Sequence, residues 1–71
     1  MNETEREKTE RQVREGHRQI ARQLEIIQQL RMQGYPTGGA ERLLADLRHI
    51  LQSHEAHLAR LDSNGDTFRR R

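Results

Sequence analysis

Cysteine and tryptophan are absent from this 71-residue chain, and proline, tyrosine and phenylalanine occur once each. Without cysteine there are no disulfides, no thiolate metal ligands and no cysteine nucleophile. Charge of one sign is also missing: 13 Lys and Arg stand against 11 Asp and Glu, leaving a formal charge of +2, too little to argue by itself for a nucleic-acid partner. Hydrophobic residues make up only 31% of the chain and form no long run, so no membrane span is expected. The first residues, Met1-Asn2-Glu3-Thr4-Glu5, carry acids where a signal peptide needs a basic region, and the cytoplasm is the default expectation. A chain this short supports one small domain and excludes a large enzyme core. It has no glycine-rich phosphate loop after a strand and no paired carboxylates on an apolar face. Ser53 adjoins His54, but neighbouring helical residues point about 100° apart. No enzyme activity and no cofactor are expected.

What the chain does have is helical periodicity. Between Thr4 and Gln33 there is no proline and one glycine, and Val13, Ile20, Leu24, Ile26, Ile27 and Leu30 recur at spacings of three, four and seven. A second, denser stripe follows from Ala40 to Leu61, with Leu43, Leu44, Leu47, Ile50, Leu51 and Leu58. Between the stripes, Gly34 suits a left-handed helix end, Pro36 blocks continuation and Thr37 can cap the next helix, so residues 34–39 are predicted to turn. Residues 1–10 contain no apolar side chain beyond Met1 and are expected to fray or project. Residues 63–71, with Asn64-Gly65 as a helix stop and three terminal arginines, read as a disordered basic tail.

Two helices joined by so short a connection must lie antiparallel, which makes residues 11–62 an all-α helical hairpin. Facing residues of such a hairpin have numbers with a nearly constant sum, and one value of that sum pairs Val13 with Leu58, His17 with His54, Ile20 with Leu51, Leu24 with Leu47, Ile27 with Leu44 and Arg31 with Ala40. The predicted seam is therefore Val13, Ile20, Leu24, Ile27, Leu44, Leu47, Leu51 and Leu58, on coiled-coil spacing. Ile26, Leu43 and Ile50 fall beside it and would stay wet in a monomer, so a homodimer forming a four-helix bundle is expected, with any other protein partner unknown.

Two constellations carry candidate chemistry. The predicted seam brings His17 and His54 into one layer with His57 one turn away, an arrangement that could hold a metal or simply fix the register. His54 and His57 are three apart, where a zincin motif needs four. Arg11, Arg14, Arg18 and Arg22 form a band on the outer flank of helix 1 that could meet the phosphates of RNA or DNA, although neighbouring glutamates neutralise part of it and no aromatic residue accompanies it.

The run Glu15-Gly16 followed by Ile20, Gln23, Leu30, Gly34, Thr37, Ala40, Leu43 and Leu44 resembles a set of short uncharacterised proteobacterial helical-hairpin proteins, over about residues 13 to 61. That family often carries a carboxylate where this chain has His17. In plan alone the chain also resembles the plasmid copy-number protein Rop, which implies dimerisation and RNA binding through the outer face of the first helices. The expectation is a non-enzymatic, self-associating helical-hairpin interaction module. A nucleic-acid-binding regulator and a metal-binding bundle are its alternatives.

Overall fold

A computed structural model describes residues 3–69, with side chains described for residues 3–63. Two helices, α1 (Glu5–Met32) and α2 (Gly38–Arg69), pack against each other as an antiparallel pair, and no strand occurs among the described residues. The expected tail over 63–71 falls, from residue 64, outside the residues whose side chains are described. The assigned span of α2 passes through Asn64-Gly65, since a glycine inside a helix costs only about 1 kcal/mol relative to alanine and does not forbid it.

The ends of α1 are built by local chemistry. Thr4 takes an extended conformation, its hydroxyl accepts from the Glu7 amide at 3.1 Å, and the Glu7 carboxylate accepts from the Thr4 amide at 3.0 Å. This capping box satisfies two orphan donors, and Glu5 and Glu7 both face the positive end of the helix dipole. The start of α1 is thus capped where the sequence suggested fraying, and it packs against α2 instead of projecting past it, with Thr9 only 1% exposed. The Thr9 hydroxyl donates to the Glu5 carbonyl at 2.8 Å, which removes the cost of burying it. At the other end Gly34 is left-handed, with φ of 79°. The Gly34 amide donates to Arg31 at 3.1 Å and the Tyr35 amide to Leu30 at 2.9 Å, the paired bonds of a Schellman stop. Thr37 opens α2 differently from a side-chain cap: its carbonyl accepts from the Glu41 amide and its hydroxyl donates to the Glu41 carboxylate.

The buried and half-buried residues of α1 include Thr9, Val13, Gly16, Ile20, Gln23, Ile27 and Leu30, which alternate by fours and threes, together with Glu10, Arg11 and Gln12 near its start. On α2 they include Ala40, Leu44, Leu47, Leu51, His54, Leu58 and Leu61. The α2 side of the seam is the predicted one. On α1 the row of His17, Leu24 and Arg31 is replaced by Gly16, Gln23 and Leu30, a rotation of about half the 100° step between neighbouring residues. Leu24 is 44% exposed. The physical reason is steric: Leu51 occupies the space beside Gly16, and a Cβ placed there would lie 2.9 Å from Leu51 Cδ1. Gln23 is tolerated inside because its amide donates to the Ala40 carbonyl at 2.9 Å.

This register makes a testable contrast. Gly16→Val should destabilise the chain by about 1–3 kcal/mol through overpacking against Leu51, whereas His17→Ala should stay within about 0.5 kcal/mol, both read by thermal or urea denaturation. A seam through His17 would reverse the order. The cap makes a second prediction. The hydrogen bonds from Thr4, the backbone amide foremost, hold the Glu7 carboxyl below the ordinary glutamate value. A lowered folded pKa means the cap is intact above the unfolded value and is lost as pH falls through the folded one. NMR titration should place Glu7 low, and Thr4→Ala, which removes the hydroxyl but keeps the backbone amide, should return it only part of the way to the ordinary value while costing about 1 kcal/mol.

Candidate functional site

The hairpin is a slab, 59 × 25 × 13 Å, one helix thick. Such a shape has two broad faces, and they differ. Along one face three exposed ion pairs bridge the helices: Arg6 with Asp62, His17 Nε2 with Glu55 at 3.5 Å, and Arg31 with Glu41 at 3.3 Å. Each is worth little in energy because its groups are about half exposed or more, but together they close that side with charge.

The opposite face is open. Its groove is lined by Gln12, Glu15, Gly16 and Gln19 of α1 and by Leu47, Ile50, Leu51 and His54 of α2. Seven residues beyond Gln19, on the same face, stands Ile26, and seven before Ile50 stands Leu43. Ile26, Leu43 and Ile50 are 38%, 48% and 52% exposed. The flank expected from the sequence is therefore present as one apolar patch toward the turn end of the slab. Toward the other end the face becomes polar, with Gln12, Ser53, His54 and His57 around a second hollow.

The histidines do not form the expected layer. His17 sits on the charged face beside Glu55, His54 is in the seam, and His57 reaches Glu5 on the open face, Nε2 to Oε1 at 2.9 Å. The shift of the α1 seam from His17 to Gly16 separates them. Among the described residues no group of three His, Cys, Asp or Glu side chains is placed to hold a metal ion.

The arginine band is divided as well. Arg11 is engaged by Glu3, at 2.9 and 3.1 Å, and by Glu15 at 3.3 Å. The hydrogen bond from Arg11 holds the Glu3 carboxyl below its ordinary range, and the same partner raises the Arg11 guanidinium above its own. Arg14, Arg18 and Arg22 are exposed and enter no ion pair among the described residues. Arg18 lies on the exposed side of α1, directly behind the seam. No helix of the described residues is long and apolar enough to cross a membrane.

Two features of the site escaped the periodicity. The capping box Thr4-Glu5-Arg6-Glu7 has a legible signature, a Thr followed three residues later by Glu. The ion-paired face does not: His17–Glu55 and Arg31–Glu41 join residues far apart in sequence and become visible only once the rotation of α1 is known. Because His17 lies on the opposite face from His54 and His57, zinc should leave the melting temperature unchanged in a thermal-shift titration. A rise growing with metal concentration would signal a site held in the folded state.

Compared with known protein families, with curated proteins and with solved structures, the chain matches none.

Proposed function

We propose that this chain is a non-enzymatic helical-hairpin module that associates with a second copy of itself through its open face, forming a four-helix bundle. The observation that carries this reading is the apolar patch of Ile26, Leu43 and Ile50, left half exposed on the broad face whose bridging pair, His57 with Glu5, lies at the far end from the turn. A slab one helix thick has almost no interior. Among the described residues only Ile27, Leu44 and Leu51 are buried aliphatic residues, too few to stabilise two helices of this length by roughly 2 kcal/mol each against the chain entropy of folding.

The area agrees. The chain exposes 6114 Å², where a compact monomer of this mass shows about 4600 Å². A standard interface takes about 800 Å² from each partner, well within that excess. Covering the open face would place Ile26, Leu43 and Ile50 between two layers and leave the charged face in water, the distribution that four-helix bundles adopt.

Sedimentation equilibrium or light scattering at micromolar concentration should report about twice the 8.4 kDa chain mass, with a melting temperature that rises with concentration. Leu43→Glu combined with Ile50→Glu should return the mass to that of the monomer. The same substitution made on the charged face, at Leu24, should leave the dimer intact. A monomeric wild-type chain with a concentration-independent melt would end this reading.

A further inference from the structure

The open face is not uniform along its length, and that asymmetry bears on how a second copy fits it. Ile26 and Leu43 mark its turn end, Ile50 and Gln19 its middle, and Gln12 and His57 its far end. Within the hairpin the levels are set by Leu51 beside Gly16 and by Glu41 beside Arg31. Between these markers Ile26 stands level with Leu43, Arg22 with Asp46 and Gln19 with Ile50, to within a helical turn. Arg22 falls between Gln19 and Ile26 and Asp46 between Leu43 and Ile50, so both edge the open face. Both are exposed, and neither has an ion-pair partner among the described residues.

We infer that the occupant of the open face is a second copy of this chain lying with its turn at the same end, so that α1 of each copy packs on α2 of the other, with Ile26 against the partner's Leu43 and Arg22 beside the partner's Asp46. This rests on the self-association proposed above and adds its geometry. Rotating a copy by half a turn about the long axis of the slab brings the two open faces together at matched levels. Apolar then meets apolar at the turn end, and Gln12 meets the partner's His57 at the far end. The contact is isologous, so each pairing occurs twice. Arg22 and Asp46 come together on the outer edge of the interface, where charge steers register and orientation.

The other two-fold arrangement, with turns at opposite ends and α1 on α1, fits worse. With the copies centred on each other, Ile26 would meet the partner's Gln12 and Leu43 would meet the partner's His54, which buries apolar side chains against polar ones. Its edge charges differ too, because Arg22 would approach the partner's Glu15 instead of the partner's Asp46. The face from Glu5 to Leu30 is about 38 Å long and about 20 Å wide, close to the 800 Å² that a stable interface takes from each partner. Only the same-end arrangement uses that area with like chemistry at each level.

The two arrangements are separated by charge exchange and by distance, both in the full chain. Arg22→Asp should weaken dimerisation roughly two- to thirtyfold by sedimentation, as expected for losing two exposed pairs. Adding Asp46→Arg should restore it, and adding Glu15→Arg should not. Because the chain has no cysteine, Met32→Cys, at a position 80% exposed, gives a single spin-label site. Pulsed dipolar spectroscopy should read about 30 Å between the two labels in the same-end dimer and about 45 Å or more in the opposite-end one. The longer distance, or rescue by Glu15→Arg, would overturn the geometry while leaving self-association standing. Monomeric mass with no dipolar signal would overturn both.

Discussion

Leu51 packs where a side chain at position 16 would be, and this contact sets the rotation of α1 against α2. With glycine at that point the helices approach closely, and α1 turns Thr9, Val13, Ile20, Gln23, Ile27 and Leu30 toward its partner. A side chain at this position would have to displace the Leu51 methyl that now fills the space, and a branched one would disturb the packing around it. The positions of the histidines, of the charged pairs and of the exposed apolar residues all follow from that rotation.

The seam it produces is unusually polar. Thr9 and Gln23 are buried on α1 and His54 is half-buried on α2, beside three well-buried aliphatic residues. The first two are satisfied by backbone carbonyls, of Glu5 and Ala40 respectively, so they cost little where they are. They also contribute little. The burial of Gln23 under a bond to the start of α2 ties α1 to one level of the partner helix, and a slip by one heptad would strand its amide. Stability and register therefore come from different residues, aliphatic in the first case and polar in the second.

The two broad faces divide the same way. Arg6–Asp62, His17–Glu55 and Arg31–Glu41 hold one side in water, where exposed pairs orient helices more than they stabilise them. The other side carries Ile26, Leu43 and Ile50 without a covering layer. A slab of two helices cannot enclose both stripes. In the reading proposed here, a second copy supplies the missing layer.

The amino-acid sequence by itself determined the all-α class, the two helices, the turn with Gly34 at the left-handed stop, the α2 side of the seam and the apolar flank beside it. These depend on local chemistry and on a single helix's own periodicity, which a linear pattern carries in full. The capping box at Thr4 was equally legible from its spacing. What only the tertiary structure decided was the rotation of α1. Hydrophobicity favours Leu24 over Gln23 and treats Gly16 as an empty position, so a linear pattern places the seam through His17, Leu24 and Arg31. In three dimensions the empty position is the one that Leu51 needs, and Gln23 finds a carbonyl on the other helix. Close approach and hydrogen-bond satisfaction are properties of pairs of residues far apart in the chain, and a periodicity summed along one helix contains neither.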